Sequence, residues 1–477
     1  MLFNSFSFAL FLPIVLSFYW IIGYRRVKIQ NILLLLASYF FYGLWDWRFL
    51  FLIIASSLID YFIGIEIYNS ENKFKRKLFL YLSILGNLGV LFLFKYYNFF
   101  IDEFSILFNL DPSDYTFSSF QIILPVGLSF YTFQTMSYTI DVYRKNIKPS
   151  YNLLHFLCFV SFFPQLVAGP IERARNLLPQ FNQERKFDIA NSKDGLRLIL
   201  WGLFKKMVVA DNVAIAVNAI YLTPEDHGSL SLLYASVLFF FQIYCDFSGY
   251  SDIAIGTAKL FGFKLSKNFN TPYLARSVAE FWQRWHITLT KWFTDYVYGP
   301  IIKKRKRSYL VKTFALLVSM GLIGFWHGAN WTFIVFGVYQ AVIISIERIP
   351  FKIRGKKVNV NYYLSRMPLV FAICYSFIII ITSCIFFRAE TLESSLYIIK
   401  KIISFVPSDQ FSFIISKRVL FVPLIIFIEY FTKTKNHPFE LFEKKYSKPV
   451  RWLVYYVFVL IIIRYAGPKE EFIYFQF

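Results

Sequence analysis

Two residue types that often carry a protein's chemistry are scarce in this chain of 477 residues: it has four cysteines and five histidines. The cysteines, Cys158, Cys245, Cys374 and Cys384, lie in apolar surroundings and form no C-x-x-C pair. Isolated cysteines of this kind behave as small buried hydrophobic side chains. The sequence therefore predicts neither a disulfide framework nor a metal site.

Several motifs of common enzyme classes are missing as well. There is no P-loop, no G-x-G-x-x-G after a strand, no H-E-x-x-H and no G-x-S-x-G nucleophile elbow. Their absence argues against the corresponding nucleotide-binding, zinc-protease and serine-hydrolase classes. The ionisable residues form no regular helical stripe, which disfavours a voltage sensor. No internal repeat is visible, which disfavours an inverted-repeat transporter.

Apolar sequence, in contrast, is abundant. The chain is 57% hydrophobic with a mean hydropathy of +0.49, and its apolar runs approach the ~20 residues that cross a bilayer. Such runs form helices because unpaired backbone groups are costly in lipid. We predict an all-α polytopic membrane protein with one integral-membrane domain over 1–477. Its predicted spans are 3–22, 30–45, 48–68, 78–100, 119–140, 196–221, 230–262, 309–326, 331–347, 369–388, 418–432 and 450–466.

The net charge of +22 is concentrated in short loops between these runs. The clearest are "YRRVK" (24–28), "KFKRK" (73–77), "YRKNIK" (143–148) and "KKRKR" (303–307). Positive loops stay in the cytoplasm and contact anionic lipid, so nucleic acid is not an expected partner. The pattern predicts about twelve crossings with both termini outside. The first run lacks a basic n-region and a cleavage site, so we expect it to be retained as a span.

Two apolar segments, 151–170 and 273–300, do not fit as simple spans because each lies between loops predicted to be cytoplasmic. Re-entrant or interfacial helices beside a polar cavity satisfy that constraint. In the second segment, "SVAE" (277–280) has the form of a capping box, which marks a helix start. Apolar residues then recur at helical spacing, so we predict one amphipathic helix over 276–299.

Two of the five histidines, His286 and His327, lie in aromatic-rich membrane segments on either side of the "KKRKR" loop. An ionisable residue at membrane depth is costly and by default marks a functional site. Histidine suits catalysis because its imidazole can accept and return a proton near neutral pH. The alternative, a neutral imidazole hydrogen-bonded to a neighbouring helix, stays open at this point.

Other polar residues accompany these histidines in the sequence. Asn330 follows His327, and the span "YCDFSGYSDIAIG" (244–256) contains Asp246, Tyr250 and Asp252. Buried carboxylates need partners, so a structural polar network is one explanation. The other is a cavity wall that orients a histidine or a substrate hydroxyl.

Three arginines are candidates for binding the phosphates of a cytoplasmic donor. Arg173 and Arg175 follow the Gly-Pro that ends the first broken segment, and Arg284 lies on the polar face of the predicted amphipathic helix. Arginine is well suited to phosphate because its planar guanidinium donates several hydrogen bonds. The alternative is that these arginines are ordinary charged residues exposed to solvent.

Seven motifs occur in a fixed order from the fifth predicted span to the last residue. They are "LPVGLSFYTFQTMSYTIDVYR" (124–144), "FFPQLVAGPIERA" (162–174), "DFSGYSDIAIG" (246–256), "NFNTPYLARSVAEFWQRWHITLTKW" (268–292), "FWHGANWTFIVFG" (325–337), "IFFRAE" (385–390) and "FIYFQF" (472–477). The ordered set resembles the membrane-bound O-acyltransferase (MBOAT) family, in its bacterial branch with the alginate O-acetylases.

The resemblance implies a fold and two site residues. Members form a ring of about 11–12 transmembrane helices plus re-entrant or interfacial helices around a central funnel. The acyltransferase motifs would occupy approximately 120–350, followed by C-terminal spans over 369–466. The family's invariant histidine falls on His327, and the second family position falls on His286. Asn330, Asp246, Tyr250 and Asp252 are candidates for positioning these imidazoles.

The resemblance also implies an activity: transfer of an acyl group to a hydroxyl of an exported polymer or lipid-linked acceptor. We expect acetyl-CoA, or another acyl donor, as a cytoplasmic substrate, and no bound cofactor. The acceptor would be a polysaccharide such as alginate, or a periplasmic acyl-transfer protein, at the bacterial inner membrane. The alternatives are D-alanyl transfer to teichoic acid, a non-catalytic transporter of acyl groups or lipid-linked sugars, and a membrane anchor for a periplasmic transferase.

Overall fold

The computed structural model describes residues 1–109, 123–167, 169–303, 308–353, 356–407, 417–443 and 446–475. The regular secondary structure of this part of the chain is helical apart from one hairpin, in which Phe351–Ile353 pairs antiparallel with Lys356–Val358. The all-α polytopic prediction is confirmed. Residues 119–122 of the fifth predicted span, 304–307 of "KKRKR" and 476–477 of "FIYFQF" lie outside the described residues.

The helices up to residue 222 range in length from four to twenty residues. They are α1 (Phe6–Ile21), α2 (Val27–Asp46), α3 (Leu50–Asn69), α4 (Lys73–Leu91), α5 (Tyr97–Phe108), α6 (Leu128–Tyr143), α7 (Leu153–Ser161), α8 (Phe163–Leu166), α9 (Ala174–Leu177), α10 (Ile189–Leu203) and α11 (Asp211–Leu222). A π-helical turn at Phe92–Tyr96 joins α4 to α5, and another at Phe204–Ala210 joins α10 to α11.

The later helices carry the histidine motifs. They are α12 (Ser229–Leu260), α13 (Val278–Arg284), α14 (Ile287–Phe293), α15 (Gly299–Ile302), α16 (Tyr309–His327), α17 (Trp331–Glu347), α18 (Val360–Leu364), α19 (Leu369–Arg388), α20 (Leu392–Ile403), α21 (Phe421–Thr432), α22 (Glu440–Glu443) and α23 (Lys448–Tyr465). The chain divides into two compact units: Met1–Leu196 with Ala254–Ser266, and Arg197–Ile253 with Lys267–Phe477. The single-domain boundary of 1–477 stays a prediction.

Five described helical stretches are long and apolar enough to cross a membrane: Val27–Asn69, Lys73–Phe108, Ser229–Leu260, Tyr309–His327 and Leu369–Arg388. Shorter apolar helices are Phe6–Ile21, Leu153–Leu166, Trp331–Glu347 and Phe421–Thr432. The multi-pass architecture is therefore confirmed. Several predicted spans are shorter or broken in the structure, which is why fewer than twelve helices meet a strict length requirement.

The predicted single helix over 276–299 is wrong. The start is right, because the Ser277 hydroxyl accepts a hydrogen bond from the Glu280 amide at 3.1 Å. The helix stops at Arg284, and a second helix, α14, begins at Ile287. Between them His286 has φ 39°, in the left-handed region, which ends the helical path. The apolar spacing continues through the break, so periodicity alone could not reveal it.

Close packing of α16 on α17 fixes the direction in which α16 ends. A Cβ atom on Gly324 would lie 2.1 Å from the Phe333 carbonyl oxygen, and one on Gly337 would lie 2.1 Å from the Met320 carbonyl oxygen. Small residues at such crossings let two backbones touch directly. His327 ends α16, so this contact determines where its imidazole lies.

Candidate functional site

His327 is the last residue of α16 and lies in an aromatic enclosure. Its side chain is buried, with a relative exposure of 2%. The imidazole centroid is 5.0 Å from the Trp326 ring, 5.1 Å from Phe387 and 6.0 Å from Phe336. Apolar walls of this kind exclude water and strengthen any polar interaction made inside them.

His286 lies in the same unit, at the break between α13 and α14. It is fully buried, and its ring is 4.6 Å from Phe247 and 5.9 Å from Trp326. A positive φ is unfavourable for a residue with a side chain and persists only where surrounding structure enforces it. Such strain is frequent at functional sites, so the backbone outlier supports the prediction that His286 has a function.

Asn268, which the sequence reasoning did not single out, holds the His286 imidazole. Its Oδ1 atom lies 3.2 Å from His286 Nδ1 and accepts from Thr288 Oγ1 at 2.8 Å and from Thr288 N at 3.2 Å. The amide nitrogen donates to Ser251 Oγ at 3.4 Å, which sets the orientation of the amide. Nδ1 is therefore the protonated nitrogen by its hydrogen-bond network, and Nε2 carries the lone pair.

The charge state of His286 follows from its burial. Burial lowers the pKa of the His286 imidazole well below its usual range, because the charged form is poorly solvated there. At neutral pH the ring is an uncharged acceptor at Nε2. It can bind a hydroxyl proton or orient a neighbouring donor.

Tyr474, in the terminal "FIYFQF" motif, lies beside both histidines. Its ring centroid is 5.3 Å from that of His327, 6.4 Å from that of His286 and 4.6 Å from that of Phe247. Its Oη atom is buried and has no hydrogen-bond partner among the described residues. The motif was part of the family pattern, but nothing in its local sequence indicated that it reaches residues 286 and 327.

Two imidazoles and a phenol thus meet in one apolar enclosure within the second unit. The imidazole nitrogens can accept a proton from a hydroxyl, and the phenol can donate a hydrogen bond. This combination suits chemistry in which a hydroxyl group is deprotonated and a carbonyl oxygen develops negative charge.

Asp246 and Tyr250 contact the C-terminal segment. Asp246 Oδ1 lies 2.8 Å from Lys206 Nζ, and Asp246 Oδ2 accepts from the backbone N–H of Ile473 at 2.8 Å. The Tyr250 ring lies 4.6 Å from that of Phe472. Both residues are therefore linked to the site through the segment that carries Tyr474. Their direct action on an imidazole stays a prediction.

Asp252 and Asn330 have described partners of a structural kind. Asp252 Oδ2 pairs with Lys205 Nζ at 2.6 Å. Asn330 caps α17, since its side chain accepts from Thr332 N at 3.0 Å and donates to the Glu390 carbonyl at 3.0 Å. The cap fixes the turn directly after His327, so Asn330 supports the histidine through the backbone. The direct positioning of an imidazole by Asp252 or Asn330 stays a prediction.

The three arginines predicted to bind a donor are divided between the units. Arg284 pairs with Glu280, with 2.6 Å between Nη2 and Oε1. Arg173 is buried and Arg175 is exposed, and both lie in the first unit. The pairing of Arg284 weakens the case for it as a phosphate ligand, and the assignment of all three stays a prediction.

Comparison with known proteins identifies the family. The membrane-bound O-acyltransferase family model matches residues 143–389, which include His286 and His327. A peptidoglycan O-acetyltransferase of Helicobacter pylori is 35% identical over 433 residues, covering 84% of this chain and 79% of the relative. The protein described as probable alginate O-acetylase AlgI of Azotobacter vinelandii is 37% identical over 396 residues, covering 82% and 75%.

A more distant relative has a different acyl group in its name. The teichoic acid D-alanyltransferase of Bacillus subtilis is 29% identical over 233 residues, which cover 46% of this chain and 58% of the relative. The long matches to O-acetyltransferases and the family model agree with the helical membrane architecture. The chain therefore belongs to the membrane-bound O-acyltransferase family and is a polytopic membrane O-acyltransferase.

Proposed function

We propose that this protein transfers acetyl groups from acetyl-CoA in the cytoplasm toward hydroxyls of an exported cell-surface polysaccharide. The observation that carries the proposal is the enclosure in which His286, His327 and Tyr474 meet. The long matches to an alginate O-acetylase and a peptidoglycan O-acetyltransferase favour acetyl as the acyl group and a glycan as the acceptor. The site would lie in the bacterial inner membrane, with both chain termini outside the cytoplasm.

His327 is the general base of the proposed reaction. It takes the proton from the attacking hydroxyl as the oxygen bonds to the thioester carbonyl carbon. The carbon–sulfur bond then breaks, and the leaving thiolate receives a proton as the ester forms. The attacking hydroxyl belongs either to the polysaccharide or to a periplasmic protein that passes the acetyl group on.

His286 and Tyr474 would orient the reacting groups. With Nδ1–H engaged by Asn268, His286 offers an acceptor at Nε2, which favours a positioning role over polarisation of the acyl carbonyl. Tyr474 offers an O–H donor, which can stabilise the oxyanion that develops on the carbonyl. The aromatic walls would limit hydrolysis of the thioester by keeping bulk water out.

The main alternatives differ from the proposal in the acceptor, in the acyl group or in whether the donor is consumed. The Helicobacter pylori relative favours peptidoglycan as a second candidate acceptor. D-Alanyl transfer to teichoic acid is supported by a shorter match at lower identity. A transporter or a membrane anchor would need no reactive enclosure, so each predicts no consumption of the donor.

The proposal is tested with purified full-length protein in lipid nanodiscs and acetyl-CoA labelled in the acetyl group. Alginate oligomers, peptidoglycan strands and a membrane extract that contains candidate acyl-transfer partners are supplied in parallel, and labelled ester is measured by mass spectrometry. We expect ester in at least one arm, and the productive arm identifies the acceptor. Donor that stays intact in every arm would contradict acetyl transfer.

Substitutions of Asn268 test whether His286 must be oriented and uncharged during turnover. Replacing Asn268 with leucine should lower kcat about tenfold, because one hydrogen bond that orients a buried ring is lost. Asn268→Asp keeps the acceptor but places a carboxylate beside Nδ1, which raises the pKa of His286. The proposed reaction requires an uncharged His286 ring. The pH below which kcat falls should therefore be higher in Asn268→Asp than in the parent. The kcat profiles of parent and variant are measured from pH 4 to 8. If kcat of Asn268→Asp shows no greater loss at acidic pH than that of the parent, protonation of His286 does not limit turnover.

A further inference from the structure

The C-terminal segment that carries Tyr474 is held along its length by α11 and the π-helical turn before it. Where α23 ends, the Asn212 side-chain amide donates to the Tyr465 carbonyl at 2.7 Å. Two residues later, the Gly467 amide donates to the Met207 carbonyl at 2.8 Å. A Cβ on Gly467 would lie 2.7 Å from the carbonyl carbon of Asp211, so a side chain there would force the segment away.

A buried ionic cluster of Lys206, Asp211 and Asp246 continues this attachment. Lys206 Nζ lies 2.8 Å from Asp211 Oδ1 and 2.8 Å from Asp246 Oδ1. The three side chains are at most 3% exposed. Lys206 Nζ also donates to the Glu470 carbonyl at 3.2 Å, while Asp246 Oδ2 accepts from Ile473 N. Two of the three charged groups thus bind backbone atoms of the terminal segment.

Burying these charges is costly unless they are well paired, and apolar residues of similar volume often stabilise a fold at least as well. The contacts with the segment give the cluster a specific use. Ile473 N is fixed by a carboxylate, and charge-assisted hydrogen bonds are shorter and stronger than neutral ones. Phe472 is fully buried against Phe247, 5.4 Å between ring centroids. Tyr474 directly follows Ile473 in the chain.

We propose that Lys206, Asp211 and Asp246 are positioning residues that form a clamp for the terminal segment 467–474. The clamp holds the Tyr474 ring beside the rings of His327 and His286. The described contacts of its three charged side chains do not include either imidazole. The clamp's effect on turnover rests on the proposed acyl transfer, whereas docking of the segment does not. The two can therefore fail separately.

A neighbouring ion pair provides a matched control. Lys205 and Asp252 join the same two helical stretches as Lys206 and Asp246, at 2.6 Å between Nζ and Oδ2. Neither has a described contact with the terminal segment. Removing the Lys205 charge perturbs a similar interaction between the same elements and leaves the clamp in place.

Hydrogen exchange of the peptide that covers 467–474, followed by mass spectrometry on the full-length protein in detergent, measures docking directly. We expect Asp246→Ala to accelerate exchange at least tenfold, with Lys206→Met as a second route to the same release. Asp246→Asn keeps an acceptor for Ile473 N and should restore part of the protection. Lys205→Met should exchange as slowly as the parent. Equal exchange in Asp246→Ala, Lys206→Met and the parent, or equal acceleration in Lys205→Met, would overturn the clamp.

Activity supplies the second readout. In clamp variants that stay monodisperse, kcat should fall while the donor KM is unchanged, because the segment orients the reacting groups and does not bind the donor. Asp246→Asn should recover turnover in step with its recovered protection. Fast exchange with full turnover in a clamp variant would show that the cluster docks the segment but that turnover does not depend on this docking. That result would refute the positioning role. If the parent transfers no acyl group at all, the proposed function fails, and exchange still decides whether the clamp exists.

Discussion

Replacement of His327 with alanine is expected to lower acyl transfer by ~10²–10⁴-fold, the usual contribution of a general base. The imidazole is buried at the end of α16 within an aromatic enclosure, where water is a poor substitute for it. The measurement is the rate of labelled ester formation by equal amounts of purified parent and variant. The protein should remain inserted and monodisperse, because the close packing of α16 on α17 at Gly324 and Gly337 does not use the imidazole.

A second histidine serves as the control for this result. His155 lies on α7, half-buried in apolar sequence, and has no place in the proposed reaction. His155→Gln should keep the parent rate, which shows that loss of an imidazole from an apolar helix is not itself harmful. Transfer at the parent rate by His327→Ala would remove His327 as the base. A folded, inserted His327→Ala protein that still consumes the donor without forming ester would indicate that water replaces the acceptor.

The helices and the two histidines could be predicted because both depend on local sequence. An apolar run near bilayer length has few alternatives to a helix, which is why the bounds predicted for α3 and α12 differ from the observed ones by only one or two residues at each end. An imidazole in an aromatic-rich membrane segment is costly even outside a full span, so His286 and His327 were recognisable without knowledge of their neighbours.

The break at His286 and the partner of its imidazole were not predictable in the same way. A run of apolar residues at helical spacing is compatible with one helix or with two. The left-handed turn at His286 is accompanied by a contact with a distant residue, since Ile287 N donates to the Asn268 carbonyl at 2.9 Å. Asn268 precedes His286 by eighteen positions and opens the same motif, but nothing in its local sequence indicates that its side chain reaches the ring. Only the fold brings its side chain to the ring.

The two carboxylates of α12 could be recognised from the sequence as polar residues within an apolar span, but their partners could not. Asp246 and Asp252 were expected in a polar network or a cavity wall, and both are ion-paired within the fold. The partner of Asp246 at Ile473 is 227 positions away along the chain. Contacts at that separation depend on the packing of many elements, so a single sequence without known structure carries no local signal for them.

Replacement of Tyr474 with phenylalanine is expected to reduce kcat by ~10²-fold, as loss of one donor to a developing oxyanion does. The change deletes a single oxygen and keeps the ring, whose contacts with Phe247 and Phe472 hold the segment in place. Hydrogen exchange over 467–474 should therefore stay slow, unlike that of the clamp variants. Slow exchange together with reduced kcat would show that the hydroxyl acts on the reacting groups. Fast exchange together with reduced kcat would show instead that the segment is no longer docked.

Tyr309→Phe is the matched control, because it also deletes one phenolic oxygen from a helix that contributes to the site. Tyr309 begins α16 and donates to the Ser345 carbonyl at 2.9 Å, far along the helix from His327. Its loss should lower the melting temperature slightly and leave kcat near the parent value. If Tyr474→Phe retains full kcat, the hydroxyl is dispensable and His327 and His286 perform the transfer without it. If both variants lose turnover equally, the effect belongs to the packing of α16 rather than to a donor beside the two imidazoles.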